Sequence, residues 1–436
     1  MRTCARPDTP RASRIAPTVA VVALFTMLAG CAGPASTGSP TTATATAPAA
    51  APSDRAVALA RDLVIVDTHI DVPYRLKEAP ADVGLATEDG DFDYPRAVAG
   101  GLDAPFMSIY IPADVDAAGG AVALADELID GVEALVNAHP DKFVRASCPR
   151  DVTTAVAAGR IALPLGLENG APIAGDLARL DHLRRRGVAY VTLTHSKSNH
   201  ISDSSYEPAG QHGGLSPFGR TLVPAMQDRG MMVDVSHVSD QAFWQVVELA
   251  RAPIIASHSS LRHFTPGFER NLADDMVRAI GRTGGVVQIA VGSGFLTAEA
   301  RAWSARQQAA AKAWAAGADL APDDPKVLAW AAEWRKQNPY PYATVDDVLD
   351  HIDRAVMLAG IDHVGIGSDF DGVGDSLPIG MKDVSTFPAL VDGLLRRGYD
   401  EQAIAKILGG NILRVWNAVV DYGAAAGFPP VCRLPP

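Results

Sequence analysis

The sequence predicts an α/β protein built as a (β/α)8 TIM-type barrel, an expectation that rests on three observations. Eight short apolar runs with strand character recur along the chain, and helical stretches separate most of them. Six of those runs end at or beside a His, Glu or Asp. In a (β/α)8 barrel the active site is assembled at the carboxyl ends of the strands, which is where these side chains fall. A doubly wound open sheet would instead call for a Gly-rich phosphate turn after the first strand, and the sequence has none there.

The first strand, Leu63 to His69, places Asp71 two residues beyond His69. Residues two apart on a strand share a face, so imidazole and carboxylate can reach one ion. Ala104 to Tyr110 forms the second strand and makes Tyr110 a substrate-contact candidate. The third, Ala162 to Glu168, ends in a carboxylate whose two oxygens can bridge two ions. A helix over Asp176 to Arg186 leads to the fourth strand, Ala189 to His195, and the fifth, Met231 to His237, follows. Helices over Ser239 to Ala250 and Asp274 to Arg282 flank the sixth strand, Pro253 to His258. Gly285 to Ala290 is the seventh, and a helix over Val345 to Ala359 precedes the eighth, His363 to Asp369. Four of eleven histidines close such runs, which chance placement would rarely produce. The remaining polar residues read as ordinary: His139, His182, His351 and His363 on helix surfaces or in loops, Asp203 and Asp371 as turn formers. Residues 295–342 interrupt the barrel after the seventh strand. Their Trp303, Trp314, Trp330 and Trp334 predict a pair of amphipathic helices over the barrel rim or at a subunit contact, with a lid as the sharper version.

At 436 residues and 48% hydrophobic, the chain can bury a large core, most of which one barrel would absorb. The formal charge is −12, and the first thirty residues hold a surplus of three positive charges, so their removal takes it to −15. That acidic body argues against nucleic-acid or anionic-membrane binding through surface charge. Arg2, Arg6, Arg11 and Arg14 precede an uncharged stretch too short to span a bilayer, then LAGC ending at Cys31. This reads as a signal over residues 1–30 with lipid attachment at Cys31, since LAGC resembles a bacterial lipobox. Residues 31–54 form an Ala/Thr/Pro/Ser tether, and 55–436 the barrel domain. The expected location is therefore exported and lipid-anchored to the cell envelope, with no other membrane contact. Export permits a disulfide between Cys148 and Cys432, although spacing alone does not pair them.

Neutral imidazoles with carboxylates suit Zn²⁺ and similar divalent ions. His237 and His258 end consecutive strands about 4.8 Å apart and can converge on one ion, while His69 and Asp71 hold another. Two such ions about 3.5–4 Å apart can share a hydroxide and aim it at a carbonyl, with Asp369 as the proton acceptor.

The motifs VDTHID, GLENG, LTHSKSN, ISDSSY, DVSHVS, ASHSS, the pair Arg270–Asn271, and DHVGIGSDFDGV occur in that order between Leu63 and Asn417. This set resembles the membrane dipeptidase (renal dipeptidase) family of metallopeptidases, peptidase family M19. The resemblance implies a distorted (β/α)8 barrel of the metal-dependent, amidohydrolase-like kind that hydrolyses free dipeptides. It implies two zinc ions bridged by Glu168 and a hydroxide, with His69 and Asp71 on one and His237 and His258 on the other. Asp369 would be the acid/base, His195 would touch substrate and steady the oxyanion, and Arg270 would hold substrate through its guanidinium fork. The chain carries ENG at Glu168 where the mammalian enzymes carry EGGH, and its stretch from His258 to Arg270 is about one residue longer. Two other readings stand beside this one: a dinuclear N-acyl-amino-acid deacylase or lactonase, and a solute-binding lipoprotein whose catalysis has lapsed. Retention of all five ligand positions and Asp369 speaks against lapse. Preferred dipeptides, L or D stereochemistry and a homodimer are left open.

Overall fold

The computed structural model describes residues 51–321 and 324–434. The signal over residues 1–30, Cys31 and nearly all of the tether lie outside the described residues. Ser53, two residues before the expected start of the barrel domain, caps the first helix, Asp54–Asp62, by accepting from the Ala56 N–H.

Ten strands occur among the described residues: β1 (Ile65–Ile70), β2 (Leu102–Tyr110), β3 (Phe143–Arg145), β4 (Ile161–Leu163), β5 (Leu165–Glu168), β6 (Val188–Thr192), β7 (Met232–Asp234), β8 (Ile255–Ala256), β9 (Val286–Ile289) and β10 (Val364–Ile366). Eight of them close a parallel barrel in the order β1, β2, β5, β6, β7, β8, β9, β10 and back to β1. β3 and β4 form a separate two-stranded parallel sheet. The expected third strand is thus two. Pro164 has no N–H to extend a ladder, so Ile161–Leu163 pairs with β3 while Leu165–Glu168 pairs with β2 and β6.

Every residue of β1, β5, β6, β7, β8, β9 and β10 is buried, as expected where helices cover the outside and side chains fill the inside. Inside, at the amino end, Val66, Phe106, Tyr190, Met232, Ile255 and Val286 pack with Trp416. Trp416 comes from the C-terminal helix Asn411–Ala425, and its ring lies 5.2 Å from that of Phe106. This plug closes the amino end and leaves the carboxyl end to build a site.

The surrounding helices begin where capping chemistry permits. Asp176 caps Leu177–Arg185, Ser239 caps Asp240–Leu249, and Thr344 with Asp347 forms a capping box on Val345–Ala359. Asp274–Arg282 covers the remaining expected helix. Residues 295–342 contain the helices Ala298–Gly317 and Pro325–Gln337. Trp303 meets Trp334 at 5.3 Å and Trp314 stacks on Trp330 at 5.7 Å, so the tryptophans join the two helices.

His351 departs from expectation. It is fully buried, its Nδ1 accepting from the Leu261 N–H at 3.0 Å and its Nε2 donating to the Leu296 carbonyl at 3.0 Å. Its helical position hid a tertiary role as a tie between two loops. Cys148 and Cys432 form a disulfide with their Cα atoms 5.2 Å apart.

Candidate active site

Glu168 is the last residue of β5, and His69 lies within β1. Asp71 sits one residue beyond β1, at the N-cap of Val72–Glu78, and the β1 register breaks between Asp67 and Ile70. A shared strand face is therefore not what unites His69 and Asp71. The strand end turns both inward, with Nε2 and Oδ2 3.5 Å apart. His195, His237, His258 and Asp369 lie two or three residues past the ends of β6, β7, β8 and β10, not at their last positions.

The ladders end early because buried carboxylates take over the N–H groups. Asp234 Oδ1 accepts from Ser236 N at 3.0 Å and Ser257 N at 2.8 Å, and Asp67 Oδ1 accepts from His69 N at 3.1 Å and Ser368 N at 2.8 Å. His237 and Asp369 then adopt left-handed φ angles of 68° and 69°, as do Asn169 at 73° and Asp371 at 64°. Such conformations cost of order 1–3 kcal/mol each and persist where surrounding structure enforces them, commonly at functional sites.

These turns bring the donors onto Glu168. Its Oε1 lies 3.1 Å from His237 Nε2, 3.2 Å from His258 Nε2 and 3.5 Å from His195 Nε2, while Oε2 lies 3.5 Å from His69 Nε2. His237 Nε2 and His258 Nε2 are 2.9 Å apart. A tetrahedral ion with bonds of 2.0–2.1 Å holds its ligand atoms about 3.3 Å apart, so these spacings suit ligation. At this site three groups, each with donor atoms within 4.8 Å of one another, can be drawn: His69, Glu168 and His258; Glu168, His195 and His237; His69, Asp71 and Asp369. His258 stands as close to the His69 side as to His237, its ring stacked on His69 at 3.8 Å.

Orphaned atoms test whether metal fits. His69 Nε2 and Asp71 Oδ1 are buried without a hydrogen-bond partner, an expensive arrangement unless a cation completes it. Two of the imidazoles are oriented in a way that suits such a cation. His69 Nδ1 bonds the Tyr190 hydroxyl at 2.9 Å, which donates to the Thr68 carbonyl; His258 Nδ1 bonds Ser257 Oγ at 2.8 Å, which donates to Asp234 Oδ2. Both chains leave Nε2 facing the cluster, the usual outer support of a ligating histidine.

The electrostatics agree. Burial, reinforced by Arg270, keeps His237 neutral; burial, reinforced by His69, does the same for His258. Glu168 stays ionised against its burial because His69 and His195 face it. Burial, then the Asp71 carboxylate, pushes Asp369 well above the usual carboxylate range.

Glu168, His195, His237, Asp71, Asp369 and Tyr110 all line one cavity of about 670 Å³. Tyr110 meets the His195 ring edge-on at 4.8 Å. Arg270 is buried beside the histidines; it donates to Ser259 Oγ and the His258 carbonyl, both at 2.8 Å, and lies 3.0 Å from His237 Nε2. Asp203 is a turn former as expected, accepting from Gln211, His212 and Gly214 N–H groups. Asp371 does more: it lines the cavity and pairs with Arg75 at 3.0 Å. Sequence reasoning also passed over Tyr190, Asp234, Asp67 and Arg301. An Asp inside an apolar strand was the available signal for Asp67 and Asp234, since a buried charge needs a reason.

The family model for membrane dipeptidase, peptidase family M19, matches residues 53–427. Dipeptidase 3 of Mus musculus is 31% identical over 375 residues, 84% of this chain and 66% of that protein. Dipeptidase 3 of Rattus norvegicus is also 31% identical, over 84% of this chain and 67% of its own length. The chain thus spans about two thirds of these relatives. The crystal structure of the probable dipeptidase PvdM from Pseudomonas aeruginosa superposes with a TM-score of 0.73 at 29% identity, covering 84% of this chain and 98% of that one. Matched along most of its length, the chain belongs to the membrane dipeptidase family of metallopeptidases.

Proposed function

We propose that the protein is a zinc-dependent dipeptidase that hydrolyses the peptide bond of small free dipeptides. The observation that carries this reading is Glu168, which presents each carboxylate oxygen to a different set of imidazoles beside Asp369 in one cavity. His69, Asp71, Glu168, His237 and His258 would hold two zinc ions, with Glu168 between them. Bound there, the ions supply an acidic water and an electrophile for the carbonyl oxygen.

The remaining work falls to side chains of the chain itself. Asp369, raised by burial and by Asp71, is a carboxylate able to take a proton from the attacking water and return it to the leaving amine. His195, lowered by burial, presents an imidazole at the cavity wall to the oxygen that gains charge. Tyr110 shapes the wall beside it. Arg270 steadies His258 through its carbonyl and adds positive charge behind the site. Export with lipid attachment at Cys31 belongs to the same proposal, and the Cys148–Cys432 disulfide supports an oxidising compartment.

The test is hydrolysis of L,L and L,D dipeptides, with N-acetylated controls, before chelation, after it and after zinc return. Cleavage of free dipeptides that vanishes with chelation and returns with about two zinc ions per chain is expected. Activity confined to the acetylated controls would point to a deacylase, and metal binding without turnover to a binding protein.

A further inference from the structure

We propose that Arg301 forms a cationic subsite at the cavity mouth that selects dipeptides carrying an acidic side chain. The proposal rests on the dipeptidase reading and adds a substrate class to it. The helix Ala298–Gly317 presents Arg301, Ser304 and Gln308 to the cavity, at spacings of three and four that put them on one face. All three side chains carry N–H or O–H donors.

The Arg301 guanidinium lies 3.4 Å from the centre of the Phe268 ring. Stacking there holds the plane and leaves the N–H edges free for a planar acceptor. Among the described residues no carboxylate forms an ion pair with Arg301, and the Tyr206 hydroxyl lies near it. The other arginine lining the cavity, Arg75, is already engaged by Asp371 at 3.0 Å and by the Phe92 carbonyl at 2.9 Å. Arg270 is buried, and its guanidinium is taken up by Ser259 Oγ, the His258 carbonyl and His237 Nε2. Arg301 is therefore the cavity's available cation, and a guanidinium fork fits a carboxylate better than any other common group.

Arg301 stacks on Phe268, whose ring lies 6.1 Å from Tyr206, and the Tyr206 ring lies 6.0 Å from His237, so guanidinium and histidine share one aromatic wall of the cavity. A side-chain carboxylate of a dipeptide extends further from the scissile bond than the main-chain terminus does, and is the group better able to reach a cation at the mouth. A cavity of about 670 Å³ has room for one, in the middle of the range for small-ligand sites.

The experiment compares kcat/KM for Ala-Glu with Ala-Gln, and for Glu-Ala with Gln-Ala, in the zinc-loaded protein, in Arg301→Gln and in Arg301→Lys. The expected result is a preference of about tenfold or more for one acidic member, carried by KM, collapsing toward one in Arg301→Gln and partly kept in Arg301→Lys. Calorimetric binding of glutarate to the metal-free protein gives a second readout independent of turnover, with about tenfold weaker binding expected in Arg301→Gln. An unchanged ratio in Arg301→Gln, or no acidic preference in the wild type while neutral dipeptides are cleaved, overturns the subsite. Equal loss on acidic and neutral partners would assign Arg301 to the main-chain carboxylate and also overturn it. If no dipeptide is cleaved, the dipeptidase reading fails, and equal glutarate binding by wild type and variant then sinks the subsite as well.

Discussion

Gly372 shows how little freedom single residues have at this site. A Cβ at that position would stand 2.3 Å from Asp71 Oδ2 and 2.4 Å from Asp369 Oδ1, closer than real contacts allow. Both carboxylates would have to move, and a displacement near 1 Å can cost about 100-fold in rate. Gly372→Ala is accordingly expected to lower dipeptide kcat/KM by about 100-fold or more and to reduce bound zinc, with circular dichroism unchanged. Wild-type rates and metal content in that variant would refute the geometry. Asp67 and Asp234 act at the same scale. Each is a buried carboxylate that takes N–H groups at or beside His69, His237, His258 and Asp369, replacing strand hydrogen bonds with a turn. Burial raises Asp67 to about 6, which marks how much solvation its position gives up.

Among the elements, the helix Val345–Ala359 and the loops after β8 and β9 depend on one another through His351. Burial lowers His351 to about 4, against an ordinary value of 6.5. The unfolded chain therefore takes up a proton below pH 6.5 that the folded chain refuses until about pH 4. Stability from this residue is complete above pH 6.5 and is lost as the pH falls through that window, by at most about 3 kcal/mol. Denaturant unfolding of the metal-free protein should show a steeper loss from pH 6.5 to 4 in the wild type than in His351→Gln. Parallel pH profiles would mean that His351 is not the proton acceptor. The insertion, in turn, is an element whose two helices are held together by tryptophans and whose inner face supplies part of the cavity wall.

Across the whole molecule, the disulfide joins residues 284 apart in sequence. It ties Cys148, the N-cap of the helix Pro149–Ala157, to the C-terminal segment, where Asp151 also accepts from the Arg433 and Leu434 N–H groups. Closing so long a loop restricts the unfolded chain, and such bonds contribute about 2–5 kcal/mol. Cys148→Ser is expected to lower unfolding stability by that amount while kcat/KM for dipeptides stays within about twofold of wild type, because the bond lies away from the cavity. A variant as stable as the oxidised wild type would show that the bond does not constrain the chain.

The sequence by itself determined the barrel and named the His, Glu and Asp side chains that the fold gathers around Glu168. Apolar runs alternating with helical periods leave few other ways to bury both strand faces, and His or carboxylate at run ends recurs too often for chance. The helix starts near Asp176, Ser239 and Val345 were legible for the same reason, since the capping that sets them is local. Only the tertiary structure decided what depends on contacts distant in sequence: the split at Pro164, the buried tie at His351, the pairing of Cys148 with Cys432, and the facing of Arg301 into the cavity. It also decided which atoms share Glu168. Local pattern assigns a residue to a strand end, but the direction of its side chain is set by turns that Asp67, Asp234 and the left-handed His237 and Asp369 impose once the barrel has closed around them.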